Sequence, residues 1–278
     1  MTARASSHLP CALVAAVGLL SLAACAPQPV TAPTGAAPTQ ETPATTAPID
    51  GVDVVFAMDF DDADALASTP AGAAVVAETS FFGGELSVVP SRSGDGSAIR
   101  FPGFSEGEEE PGVGLVVTAA DSALPSPGSS SFGFGADVRF DDLSAESDAD
   151  NGDNVLQRGL AADPAQYKLQ VDHGKPSCTV TGSTGRLMAK GDALEGGTWY
   201  RLTCLLRDGQ LTLTVTDLDA EESAEFTDSG AVGAVEFADN VPVAIGRKVG
   251  VDGAGINKQP DQFNGTMDSV WIGIGAER

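Results

Sequence analysis

Arg207-Asp208-Gly209-Gln210-Leu211-Thr212-Leu213-Thr214-Val215-Thr216 is the stretch that decides the fold. Leu211, Leu213 and Val215 alternate with three threonines, so the apolar side chains share one face and the hydroxyls the other. A strand with one wet face belongs to an antiparallel sheet. The Asp-Gly pair joins this run to the apolar run Thr198 to Arg207, a strong hairpin signal.

Further runs of strand length lie on both sides of that hairpin. Upstream are Val52 to Phe60, Glu85 to Val89, Gly114 to Thr118, Ser131 to Phe140, Asn154 to Arg158, Gln166 to Val171 and Ser177 to Thr181. Downstream are Val241 to Gly246 and Phe263 to Ile274. Long helical periodicity is missing; Asp62 to Ala77 is Ala-rich, but Pro70 and Gly72 leave room for at most one short helix. With 33 Gly and 17 Pro and only 6% aromatic residues, the 278-residue chain is turn-rich, and many short strands predict a sandwich or barrel. Residues 51–278 are long for an immunoglobulin-type sandwich and suit a larger jelly roll.

Fifteen Lys and Arg against 39 Asp and Glu give a net charge of −24. That balance excludes nucleic acid as a partner, which needs clustered cations, and it disfavours anionic polymers. It also holds copies of the chain apart, and a monomer is expected.

The N-terminal 24 residues read as an export signal. Cys11 to Leu22 is an apolar run of 12 residues, too short for a membrane span. Leu22-Ala23-Ala24-Cys25 resembles the lipobox of bacterial lipoproteins. The resemblance implies that Cys25 becomes the acylated first residue, anchoring the chain on the extracytoplasmic face of the cell membrane. Residues 26–50 carry six Pro among Thr and Ala and almost nothing large and apolar, so they form an extended stalk with no core, reaching at most roughly 75 Å. The expected organisation is therefore signal peptide 1–24, lipid anchor and stalk 25–50, and one all-β domain 51–278.

The domain resembles a known family on a series of motifs. These are Asn154-Val155-Leu156-Gln157-Arg158-Gly159, Tyr167-Lys168-Leu169-Gln170-Val171, Ser177-Cys178-Thr179-Val180-Thr181-Gly182 and Gly197-Thr198-Trp199-Tyr200-Arg201-Leu202-Thr203-Cys204. Pro242 to Gly246 and Asp261-Gln262-Phe263-Asn264-Gly265-Thr266-Met267-Asp268-Ser269-Val270-Trp271-Ile272 complete the series. In this order and spacing they resemble the laminin-G-like branch of the concanavalin A-like lectin/glucanase superfamily. The first strand and Asp95 to Phe101 extend the likeness more weakly. It implies two curved antiparallel sheets stacked face to face; the superfamily includes lectins, adhesion domains, hydrolases and lyases, so the fold does not decide the activity. It also implies a structural calcium where the first and last strands meet, and Asp59 and Asp268 are the positions carried over for it.

Other residues bear on chemistry directly. Cys178 and Cys204, 26 residues apart in an exported chain, are expected to form a disulfide. The Glu-x-Asp-x-x-Glu string of the superfamily's glucanases is absent; the nearest, Asp217 to Glu222, reads as a polar turn. His173 sits in a turn-like stretch rather than a triad, so no catalytic residue is assigned and a non-enzyme is expected. Asp148 to Asp153 offers alternating oxygens as a second calcium candidate, without the closing Glu of an EF-hand. Trp199 and Trp271 sit in apolar strands and are expected in the core, whereas Phe81, Phe82, Phe101 and Phe104 are candidates for exposed loop aromatics. Glu106 to Glu110 reads as a solvated loop, and the Asn264-Gly265-Thr266 sequon as incidental. The resulting expectation is a non-catalytic surface module for an extracellular glycan or wall polymer, with its contact residues unassigned; the alternatives are a protein-adhesion domain and a glycan hydrolase or lyase.

Overall fold

The computed structural model describes residues 49–61, 74–104, 110–119, 124–141, 152–256 and 260–275. These lie in one unit, Ala44–Arg278. Among them run fifteen strands and no helix. The first seven are β1 (Asp53–Met58), β2 (Ala74–Phe81), β3 (Ser87–Pro90), β4 (Ser97–Arg100), β5 (Gly112–Ala119), β6 (Phe132–Phe140) and β7 (Asp153–Arg158). Then come β8 (Gln166–Asp172), β9 (Lys175–Gly182), β10 (Gly185–Lys190), β11 (Trp199–Arg207), β12 (Gln210–Asp217), β13 (Glu222–Ser229), β14 (Val243–Ile245) and β15 (Gly265–Ile274).

The strands form two antiparallel sheets. One has eight strands in the order β13-β12-β11-β6-β15-β4-β3, with β1 also paired to β15; the other has seven in the order β10-β9-β8-β7-β14-β5-β2. Alternation places Leu202, Cys204, Leu211, Leu213, Phe132, Phe134 and Val138 of the first sheet against Val113, Leu115, Tyr167, Leu169, Val180 and Ile245 of the second, in one continuous core. Cys178 of β9 and Cys204 of β11 are disulfide-bonded across that core, with Cα atoms 5.9 Å apart. The bond therefore ties one sheet to the other, as expected from the sequence.

The β11–β12 hairpin forms as its Asp-Gly signal requires: Asp208 and Gly209 both have positive φ (53° and 74°), the combination of a type I′ turn. The β8–β9 turn repeats it at His173 and Gly174 (52° and 69°). Where the sandwich edges approach each other, the Asp228 carboxylate accepts a hydrogen bond from the Met188 amide (2.8 Å), capping a β10 edge donor that could otherwise template a foreign strand.

Several elements differ from the sequence expectation. Ala74 to Ala77, the end of the short-helix candidate, lie in β2 paired with Val116 to Ala119; long-range pairing overrides the helical preference of alanine. The rest of that candidate, 62–73, is outside the described residues. β10 and β13 were not anticipated: β13, Glu-Ser-Ala-Glu-Phe-Thr-Asp-Ser, is mostly exposed along its length and carries almost no apolar period. β4 lay within the Asp95 to Phe101 likeness. Trp199 and Trp271 are buried (9% and 6% exposed), yet neither joins the core between the sheets. Both stand on the outward register of the eight-stranded sheet, opposite Arg139 and Gly135.

Candidate binding site

The outward face of the eight-stranded sheet carries a carboxylate group at its centre. Asp268 of β15 directly opposes Asp137 of β6, just before a bulge where Ser269 takes a φ of 49° and β15 changes partner from β4 to β1. Asp137 is held by two bonds from Arg201, both 2.7 Å, which raise the guanidinium pKa. Asp268, which also attracts Arg201, is not bonded to it in this way. Burial pushes its pKa up to about 7, against the Ser269 amide hydrogen bond, and the charges of Asp137 and Asp61 push it the same way. Asp59 stands exposed at the end of β1, its carboxylate accepting from the Asp61 amide (3.3 Å).

Asp59 follows the end of β1, which pairs with the β15 strand of Asp268, but among the described residues no three His, Cys, Asp or Glu side chains converge as a metal-binding group. Calcium takes six to eight oxygens, so this donor set falls short. Most of the Asp148 to Asp153 candidate, residues 106–109 of the acidic loop and Cys25 lie outside the described residues.

The seven-stranded sheet presents a close-packed polar outward face. Lys168 of β8 and Lys248 hold opposite oxygens of the Asp261 carboxylate at 2.5 and 2.9 Å. Burial lowers the Lys168 pKa despite that partner. The Asp261 to Gly265 motif is structural. Gln262 bonds both backbone groups of Val113, Phe263 enters the core, and the buried Asn264 gives its Nδ2 to the Pro102 carbonyl (2.9 Å). That amide is committed inside the fold, so the sequon is not offered for glycosylation.

Aromatic rings are nearly all withdrawn from solvent. Phe82 is exposed (54%), as expected, and among the described residues it is the one exposed Phe, Tyr or Trp ring. Phe81 lies half-buried beneath the Arg247 guanidinium (3.9 Å to the ring centroid), Phe104 is half-buried, and Phe101 packs edge-on against Phe263 in the core. His173 is exposed beside Asp172, and within the Asp217 to Glu222 candidate residues 218–221 turn between β12 and β13 while Asp217 and Glu222 oppose each other at the strand ends.

A concave site opens instead at one end of the sandwich. It is a cleft of about 300 Å³ between the loop before β6, the end of β11, the β11–β12 turn and the segment after β13. Leu206 forms its apolar floor; Ser129, Ser130 and Ser131 supply hydroxyls, and Asp208 supplies the cleft's carboxylate. The remaining wall combines the apolar Ala231 and Val232 with bare backbone at Gly128, Gly209, Gly230 and Gly233. Bonds between Gly230 and Gly209 (2.9 Å) and between Gly128 and Val235 (2.8 and 3.1 Å) fix the walls. Its size is at the lower end for small-molecule sites, and its mixed lining suits a small ligand that carries hydroxyls beside an apolar face. The carboxylate accepts from hydroxyls, the serines donate and accept, and the glycines permit close approach of a ring.

No family model and no curated protein matches the chain in sequence. Solved structures do match in fold. The binding domain of Paraclostridial Mosquitocidal Protein 1 aligns at 15% identity and a TM-score of 0.51, covering 82% of this chain and 50% of that one. The Botulinum Neurotoxin serotype G binding domain aligns at 8% identity and a TM-score of 0.53, covering 81% and 49%. The LG1-3 region of the laminin alpha2 chain aligns more loosely, at 10% identity and a TM-score of 0.42, covering 54% and 28%. The chain spans about half the length of the first two (50% and 49%), and identities this low speak to the sandwich fold alone.

The cleft residues were not legible as a site beforehand. Pro125-Ser126-Pro127-Gly128-Ser129-Ser130-Ser131 and Gly230-Ala231-Val232-Gly233 read as ordinary turn chemistry, and they are about 100 positions apart. The one usable signal was Asp208 beside Gly209, already spent on the hairpin.

Proposed function

We propose that this chain is a lipid-anchored surface protein whose sandwich is a non-catalytic binding module for a neutral extracellular glycan. The observation that carries the reading is the cleft itself: about 300 Å³, walled by three serine hydroxyls and glycine backbone around one carboxylate, Asp208. A sugar ring offers the matching inventory of hydroxyl donors and acceptors, and Leu206 meets its C–H face. Glycoside hydrolysis by the usual route needs two carboxyl groups flanking the bond; among the lining residues Asp208 carries one, and the Glu236 carboxylate stands beside the Gly128 wall. Asp137 and Asp268 oppose each other elsewhere, but Asp137 is taken up by Arg201. The anionic protein and the cleft carboxylate turn away polyanions. The export signal, Cys25 and the Pro/Thr stalk support display outside the cell, and the motif string supports the laminin-G-like branch.

The test is titration of neutral oligosaccharides into the full chain, with and without calcium, alongside two cleft variants. Asp208→Asn keeps a residue that tolerates positive φ and removes the charge-assisted acceptor, so affinity should fall about tenfold. Ser129→Trp fills the cleft from an exposed position and should abolish binding. Binding that both variants leave intact would remove the cleft from the proposal. Cys25→Ala should move the protein from the membrane to the soluble fraction.

A second reading, a protein-adhesion domain, draws on one observation: neither outward sheet face carries an exposed aromatic ring among the described residues. Sugar binding on those faces would want one, whereas a protein partner would not.

A further inference from the structure

The strands that wall the cleft also fix which way it points. β6 begins there, β11 ends there, β12 begins there and β13 ends there, as the pairings Phe132↔Leu206 and Gln210↔Ser229 require. The same pole receives the chain from the stalk. Arg207, adjacent to Leu206 and Asp208, donates to the Asp50 carbonyl, and the Ile49 carbonyl accepts from Val52 (3.2 Å). The other terminus arrives there too, the Gly275 amide donating to the Ser131 carbonyl (2.7 Å). The cleft therefore opens within one or two residues of the point where the Pro/Thr segment enters the domain.

Resting on the glycan-binding reading above, we infer that the cleft takes a neutral sugar unit of the envelope in which the protein's own anchor is embedded, so that the domain grips its own cell's surface polymer rather than an opposing surface. Two physical arguments lead there. A domain of this length is about 45 Å across, and the cleft opens at the pole where the chain enters at Asp50 rather than at the far one. The second argument is affinity. A cleft of about 300 Å³ accepts one or two rings, and so few atoms bind with a Kd in the millimolar range. Such a site does not capture dilute glycan from solution. Tethering raises the local concentration of sites to the millimolar range as well, which makes so weak a contact effective only against material held at the same surface.

The experiment uses the full chain carrying Cys25→Ala, which removes the lipid and leaves the cleft. It is incubated with neutral polysaccharide purified from the producing cell's envelope and, separately, with a panel of neutral glycans from other cells, and retention is compared with that of Cys25→Ala/Ser129→Trp. The expected result is retention on the cell's own polymer, at least tenfold above the double variant and above the foreign panel. Cleft-dependent retention on a foreign glycan alone overturns this inference while leaving the binding reading in place. Retention on neither, or retention that Ser129→Trp does not change, overturns both.

Discussion

Trp271 occupies the space that a side chain at position 135 would need. A Cβ placed on Gly135 would stand 3.0 Å from the indole nitrogen and 2.5 Å from the Leu202 carbonyl oxygen. The indole covers the outside of β6, and Gly133, whose Cβ would meet the same ring at 3.1 Å, extends the bare strip beneath it. Gly135→Ala should therefore cost about 1–3 kcal/mol by overpacking. Thermal unfolding checks this, with a fall of roughly 2–4 °C per kcal/mol expected for a domain of this size.

The Cys178–Cys204 disulfide is fully buried and joins the two sheets. Closing a 26-residue separation contributes about 3.5 kcal/mol in the chain-entropy model. The Cys178→Ala/Cys204→Ala chain should unfold at a correspondingly lower denaturant midpoint. Free-thiol titration of the native, non-reduced protein should find neither sulfur reactive.

Asp268 makes stability fall as pH rises. Its carboxyl titrates near 7 in the folded protein against an ordinary value of 3.8. Between those two values the native state keeps a proton that the unfolded chain has released, so this group's contribution declines from about pH 4 to about pH 7 and then levels off. Asp268→Asn, which keeps an acceptor for the Ser269 amide, should raise the melting temperature at pH 8 and leave it unchanged at pH 4.

Lys168 depends on Asp261. Both side chains are nearly withdrawn from solvent (10% and 7% exposed), and removing one partner leaves the other charge desolvated. Asp261→Asn tolerates the positive φ of 47° at that position, yet should cost about 3–5 kcal/mol. Lys168→Met/Asp261→Asn should recover part of that loss in a denaturant titration, although Lys248 then also stands without its carboxylate.

Local chemistry was legible from the chain alone. Alternation in Leu211 to Thr216 placed the apolar face inward, Asp208-Gly209 set the hairpin, and the two mature-domain cysteines were the natural pair, because each of these depends on neighbours in sequence or on the mere presence of a residue type. β13 was not legible. An edge strand needs no apolar period, and its pairing with β12 is what makes Glu222–Ser229 a strand at all. The position of Trp271 was misread for a related reason: in a strand flanked by two sheet faces, burial outside the core looks the same in sequence as burial inside it. Asp268 and Asp137 are about 130 positions apart, so their opposition, and with it the raised carboxyl pKa, exists only once β15 has paired with β6. The cleft follows the same logic. Its serines, glycines and Asp208 are each ordinary turn residues, and closing the sandwich brings three separate segments to one end, beside Asp50. The sequence by itself determined strands, turns and sidedness, which are short-range consequences of side-chain alternation and backbone freedom. Tertiary structure alone decided which distant residues share a wall, because that depends on how fifteen strands are ordered across two sheets.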